Sequence, residues 1–263
     1  MSLPRVVSLA PSATATVVAV GGAETLVGVT AHCDPPSTAG SAHATDAAAV
    51  GGWLTPDLDR VAALDPDVVL TSDALQADLA DACRDRGLAV AHREPAGIDD
   101  VVAGFSARGA DVGRPDAGAA LAAAARDRLD RVRESVADRS RPTVYCEEWS
   151  DPPMAAGNWV PEAVRVAGGR YPFVDAGERS RAVDPAAVAA ADPDHVVVHV
   201  CGHGERVDPE TVAGRDWDVD APVHVLDDSL LNQPSPALID GVERLARLLH
   251  PEATPTAVDD ADA

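Results

Sequence analysis

The chain has 263 residues, enough for one large or two modest domains with cores of their own. It carries 43 acidic against 21 basic residues, a formal net charge of -22, and every basic residue is arginine. Such a surface argues against nucleic acid or anionic membrane as a partner, and its alanine and valine in place of larger apolar residues give it a halophile's character. It also makes any single carboxylate weak evidence for a site. Four cysteines at 33, 83, 146 and 201 form no CxxC pair, so neither a zinc ribbon nor a disulfide framework is indicated. The N-terminus enters a strand without the segments of an export signal, and no apolar run has the length of a membrane span. The expectation is a cytoplasmic monomer with no direct membrane span, unless an export signal has been removed.

Val6-Val7-Ser8-Leu9-Ala10, bounded by Pro4 and Pro11, reads as a buried strand, and Ser12-Ala13-Thr14 opens a helix closed by Gly21-Gly22, with Ser12 or Thr14 as its N-cap. A strand over 26–30 delivers His32, Cys33 and Asp34 into a loop. All three are possible metal ligands, but adjacent side chains seldom converge on one ion, so they also read as pocket lining. The segment 37–52 reads as a loop leading to Trp53. A short helix over 58–64, the turn Asp65-Pro66-Asp67 and a strand over 68–71 follow, presenting Ser72 and Asp73. The stretch 75–86 is amphipathic, with Leu75, Leu79, Ala82 and Cys83 on one face. A strand over 89–92 and a helix over 98–111 complete an alternation that indicates a parallel sheet with helices on both faces.

From 116 to 139 the pattern changes to one long helix, with Leu121, Ala124, Ala125, Leu129, Val132 and Val136 at helical spacing. Roughly 22 residues at 1.5 Å each give about 33 Å, the width of a small domain. The predicted division is an α/β lobe over 1–113, a linking helix over 114–140, a second α/β lobe over 141–250, and a tail over 251–263 too poor in apolar residues to order itself. The second lobe repeats the first: a short helix over 184–191, Asp192-Pro193-Asp194 and a strand over 196–199 mirror residues 58–71. A last strand over 223–226, a polar loop over 227–234 and a closing helix over 236–249 follow.

The most crowded stretch runs from Tyr145 to Gly169. Arg141-Pro142-Thr143-Val144 leads into a buried strand, whose end is expected near Tyr145. Glu147, Glu148, Trp149, Asp151 and Trp159 then fall in a loop before a helix that begins at Pro161. Strand, polar loop and helix is the usual layout of a binding site in an open α/β sheet. An ordinary loop whose tryptophans pack on their own lobe is the alternative.

Several segments resemble the helical-backbone class of periplasmic binding proteins, which carry cobalamin, haem, siderophores and other metal chelates to ABC importers. Arg5-Val6-Val7-Ser8-Leu9-Ala10-Pro11-Ser12-Ala13-Thr14 and Leu64-Asp65-Pro66-Asp67-Val68-Val69-Leu70 are similar to motifs of that family. The cobalamin-binding branch that often lacks an export signal is matched by His32-Cys33-Asp34-Pro35, Glu148 to Pro153, Gly157 to Glu162, Cys201-Gly202 and Asn232-Gln233-Pro234-Ser235-Pro236. The resemblance spans residues 5 to 250. It implies two α/β lobes with mainly parallel sheets joined by a long helix, a ligand cleft between the lobes, ABC importer membrane subunits as partners, and a corrinoid or other metal chelate as ligand, with no cofactor of the protein's own.

On that reading the strand-end loops line the cleft. Trp53, Trp149 and Trp159 lie against flat or apolar faces of a large ligand, and Trp217 packs elsewhere. His203 is a candidate axial ligand to a chelated metal, beside His199 and Cys201, which share a face if the strand continues through them. A buried His199 and Cys201 with an exposed His203 is the alternative. Ser12, Ser72, Glu148, Asp151, Asn232 and Gln233 supply polar contacts. An enzyme is not expected: sequence neighbours such as His32 and Cys33, or Glu147 and Glu148, point to opposite faces of a strand, and no phosphate-binding Gly-rich loop is present. The competing readings are direct binding of a metal ion, a metal hydrolase using His199, His203 and Asp151, or a cytoplasmic sensor or carrier that uses the same cleft without a transporter.

Overall fold

Val6, Val7 and Ser8 are wholly buried, and they form β1 (Val6–Ser8) at the centre of a parallel sheet. Its companions are β2 (Leu26–Val29), β3 (Ala48–Ala49), β4 (Val68–Ser72) and β5 (Val90–Arg93), in the order β3-β2-β1-β4-β5. Every pairing is parallel, so the connections are crossovers. These strands and the helices α1 (Pro11–Ala19), α2 (Leu58–Ala63), α3 (Ala77–Asp85) and α4 (Ile98–Asp111) make the first of two units, Met1–Arg126 with Gln233–Pro236. The computed structural model describes residues 3–33 and 46–252. Asp34 and the tail from 253 therefore lie outside the described residues, as does most of the expected loop 37–52, of which Ala48–Ala49 is strand.

The sequence places these elements closely but misreads two helix starts. α1 begins on Pro11, its N-cap is Ala10, and neither Ser12 nor Thr14 caps it. The Thr14 hydroxyl instead donates to Ser8 Oγ at 2.8 Å, and Thr16 to the Ser12 carbonyl at 2.9 Å. Proline at the first turn makes a side-chain cap less necessary, because it has no N–H to satisfy. In the expected helix 75–86, Asp73 adopts φ 76 and accepts from Leu75 N–H at 2.8 Å, which starts a 3-10 turn over Ala74–Gln76 and delays α3. Leu75 is consequently 55% exposed and Gln76 is buried, the reverse of the expected face.

The helix α5 (Pro115–Ser135) has 21 residues, and the division between the two units falls inside it, after Arg126. Ala122, Ala125, Leu129 and Val132 are its buried stripe, continued by Val136 just past its end, with Ala122 in the place expected of Ala124, which is exposed.

The second unit, Asp127–Asn232 with Ala237–Ala263, contains β6 (Val144–Ser150), β7 (Pro153–Ala155), α6 (Val160–Val166), β8 (Arg181–Ala182), α7 (Pro185–Ala191), β9 (His195–Val198), α8 (Glu210–Ala213), β10 (Val223–Val225) and α9 (Ala237–Leu249). Its sheet has the order β10-β9-β6-β7-β8. β10, β9 and β6 are parallel, while β7 and β8 join antiparallel. This hairpin corrects the expectation that the strand stops near Tyr145. Pairing of Trp149 with Met154 and Ser150 with Pro153 carries β6 to Ser150, so Glu147, Glu148 and Trp149 are strand residues and not loop residues.

The repeat seen in the sequence has a matching hydrogen-bond pattern. Asp57 caps α2 and Asp184 caps α7, each through its side-chain oxygen. Asp65 and Asp192 end those helices in the left-handed region, at φ 47 and φ 46. Asp67 then accepts from Arg5 N–H ahead of β1, and Asp194 from Thr143 N–H ahead of β6, both at 2.7 Å. Each Asp-Pro-Asp turn thus ties a helix exit to the start of the central strand.

Candidate functional site

In the second unit, the end of β6 and the loop after β9 come together. A hollow of about 320 Å³ is lined by Trp149, Ser150, Asp151, Val200, His203 and Thr211, among others. Trp149 is 45% exposed, and its indole N–H donates to the Asp151 carbonyl at 2.8 Å, which fixes the ring while leaving a face open. Two positions earlier on β6, Glu147 is fully buried. The Glu147 carboxylate accepts from Arg215 at 2.6 and 3.0 Å, from Ser150 Oγ at 2.7 Å and from Tyr145 Oη at 3.1 Å. This charge is paired and hydrogen-bonded on all sides, as burial requires. Burial and the same carboxylate push the Tyr145 hydroxyl pKa well up. Arg215 also lies over the Trp217 ring, 4.7 Å from its centroid, so Trp217 packs away from the hollow as expected.

His203 sits on an exposed loop whose shape is set by Asp228. That carboxylate accepts from Gly202 N–H at 2.9 Å and from Gly204 N–H at 2.8 Å. Both glycines have positive φ, 76 and 56, a conformation that other residues adopt only with strain. Two oriented amides thus face one carboxylate, and the imidazole is carried on the residue they flank.

β9 stops at Val198, so His199 and Cys201 do not share a strand face. His199 is wholly buried, Cys201 is exposed, and His203 is exposed as in the alternative reading. The His199 imidazole pairs through Nδ1 with Asn232 Oδ1, and Asn232 Nδ2 donates to the His199 carbonyl at 2.8 Å. Burial lowers the His199 pKa to about 4, so the ring is neutral at pH 7 and holds the Asn232 amide in one orientation. Asn232 and Gln233 are half-buried. Trp159 needs correction as a ligand surface: it is 3% exposed and its N–H donates to the Leu231 carbonyl at 2.7 Å, so it packs inside its own unit.

In the first unit Ser12 and Ser72 are buried and contribute to a hollow of about 340 Å³ that also has Arg93, Phe105, Arg108 and Pro234 in its wall. Arg108 is 4% exposed and donates to the Ala91 carbonyl at 2.6 Å and to the Thr71 carbonyl. Burial, with Arg93 nearby, lowers its pKa to about 10, so it stays charged. Asp111 pairs with Arg93 at 3.0 Å and lies 3.6 Å from Arg108. His32 is exposed and Trp53 half-buried. Cys33 Sγ is 3.0 Å from Thr14 Oγ1 and 3.2 Å from Thr30 Oγ1.

Among the described residues no three His, Cys, Asp or Glu side chains are grouped to hold a metal ion. His199, His203 and Asp151 therefore do not form the centre of a metal hydrolase. Asp228, Arg215 and Gln76 are the structurally decisive residues that sequence reasoning missed. The positive-φ glycines on either side of His203 are the one local signal that a carboxylate partner was needed. Among the described residues no helix is long and apolar enough to cross a membrane.

Residues 6–217 match the family described as periplasmic binding protein. The chain is 27% identical over 261 residues to a cobalamin-binding protein of Halobacterium salinarum, covering 94% of this chain and 69% of that protein. It is 25% identical over 256 residues to a vitamin B12-binding protein of Vibrio cholerae, covering 93% and 88% respectively. The fold superposes on a periplasmic heme binding protein from Pseudomonas aeruginosa with a TM-score of 0.79 at 22% identity, covering 97% of this chain and 95% of the other.

Proposed function

The chain belongs to the periplasmic binding protein family, a family of substrate-binding proteins and not of enzymes, and from that premise we propose that its ligand is a corrinoid or a closely similar metal chelate. The observation that carries the reading is the second-unit hollow, where an open indole face, an imidazole and a carboxylate converge at Trp149, His203 and Asp151. A flat chelate suits that set: the indole covers ring surface, the imidazole reaches the metal's open axial position, and the half-buried amides of Asn232 and Gln233 take polar substituents. Ser12, Ser72, His32, Cys33, Trp53 and Glu148 are the further contacts proposed. The proposed role is delivery of this ligand to an ABC-type importer outside the cytoplasm, with the chain acting as a monomer. The relatives named for cobalamin and vitamin B12 support the ligand class, and the Halobacterium relative accords with a halophilic surface.

Titration with cobinamide and cobalamin in concentrated salt, read by tryptophan fluorescence and the corrin absorption bands, tests the reading. Binding at micromolar or tighter dissociation constants is expected, about tenfold weaker in Trp149→Ala, with a band shift that His203→Ala abolishes. Saturation by hemin but by neither corrinoid would transfer the site to another chelate class.

A further inference from the structure

The entry to β6 borders another hollow of the second unit, of about 410 Å³. Arg141, Arg165 and Arg170 line it with Thr143, Tyr171 and Pro172, and among the described residues its wall holds no carboxylate. Trp149 lies six positions along the chain from Thr143, about 20 Å at 3.3 Å per strand residue. This hollow and the one at Trp149 therefore stand at opposite ends of one sheet.

The local sequence brings the three cations together. α6 carries Arg165 in its last turn, and behind it Gly168 takes φ 85 while the Gly169 N–H returns to the Val164 carbonyl at 2.8 Å. A Cβ on Gly168 would lie 2.9 Å from Val136 Cβ, so glycine is needed at this reversal. The turn lays Arg170 against the start of β6. Its N–H donates to the Pro142 carbonyl at 2.8 Å, its carbonyl accepts from Val144 N–H at 2.9 Å, and its guanidinium donates to Thr143 Oγ1 at 2.5 Å.

Arg165 suits a helix C-terminus, where carbonyl dipoles attract a cation, but Arg141 and Arg170 lie on no helix. In a chain of 43 acidic and 21 basic residues an arginine readily finds a carboxylate, as Arg128 does in Asp240 and Glu243. Among the described residues no salt bridge joins Arg141 or Arg170 to one. Asp194, close by, gives its Oδ2 to the Thr143 N–H at 2.7 Å. Three like charges gathered around one hollow repel one another until an anion enters it. We propose that the hollow binds a small organic oxyanion of more than one charge, a phosphate ester or a polycarboxylate. The arginine forks pair with its oxygens, and Tyr171 and Pro172 lie along its carbon skeleton. The chelate hollow has Asp151 and Asp208 in its own wall, and the oxyanion site does not rest on the chelate reading.

Calorimetric titration of the full chain with pyrophosphate and with citrate, at constant ionic strength, tests the site. At least one of the two is expected to bind with a Kd on the order of 0.1 mM, weakened about tenfold in Arg141→Gln and in Arg165→Gln, both at exposed positions. Arg84→Gln removes the same charge from an exposed position of the first unit and is expected to leave that affinity unchanged. Binding of pyrophosphate alone assigns a phosphate ester, and binding of citrate alone a polycarboxylate. Failure of both probes to bind at about 10 mM, undiminished affinity in the two hollow variants, or equal weakening by Arg84→Gln overturns the proposal.

Discussion

In the first unit the neutral amide of Gln76 joins the strand-end loops while the buried Arg108 binds the Thr71 and Ala91 carbonyls; in the second the buried charge is an acid, Glu147 held by Arg215, and Asp228 holds two glycine amides. The frameworks beneath are repeats, down to the paired left-handed aspartates Asp65 and Asp192. The divergence lies in what is grafted on their ends. A buried amide with its partners in place is indifferent to pH, and its loss costs only the groups it leaves unpaired. A buried ion pair is no more stabilising than a good apolar contact while intact, yet removal of one partner strands a charge. Loss of Arg215 in the second unit should therefore cost more than loss of Gln76 in the first, and the Glu147 pair should be the more sensitive to acid.

The largest effect expected is from Arg215→Ala, which leaves Glu147 buried without its cation and should cost about 3–5 kcal/mol in urea unfolding. Glu147→Gln combined with Arg215→Met should recover most of that loss, because no charge then remains buried. Next comes acid. His199 titrates near 4 in the folded chain against an ordinary histidine value of 6.5, so its neutral form contributes fully above pH 6.5. As pH falls from 6.5 towards 4 the unfolded state takes up a proton that the folded state refuses, and stability on the order of 3 kcal/mol is lost over that window. His199→Gln should flatten that part of the profile; an unchanged slope would assign the acid sensitivity to other groups. The smallest effect is from Asp228→Ala, expected to cost about 1 kcal/mol, since the freed Gly202 and Gly204 amides are solvent-accessible. Its signature is instead in binding, with cobinamide weakened as His203 loses its fixed loop.

Much of the framework was legible in the sequence because its signals are local. Proline-bounded valine runs, the Asp-Pro-Asp turns and the apolar period of α5 each lie within a few residues. The β6–β7 hairpin was not, because Glu147 and Glu148 read as solvent-facing loop residues. What makes Glu147 a buried strand residue is Arg215, 68 positions further along. Trp159 misled for a related reason: its aromatic surface suits a ligand as well as a core, and only the Leu231 carbonyl decides. Trp149 and His203 were picked out as separate candidates, but their meeting in one hollow depends on the hairpin and on Asp228. Gln76 carried no signal at all, since a glutamine in an amphipathic stretch reads as its polar face.

The central claim, that the hollow at Trp149 and His203 holds a chelated metal, is tested most directly by the cobalt anomalous signal in crystals of the protein grown with cobinamide. The account predicts a single strong peak in the hollow lined by Trp149, Asp151 and His203. A fully occupied cobalt peak away from those residues, or none in crystals that take up stoichiometric corrinoid, would contradict it.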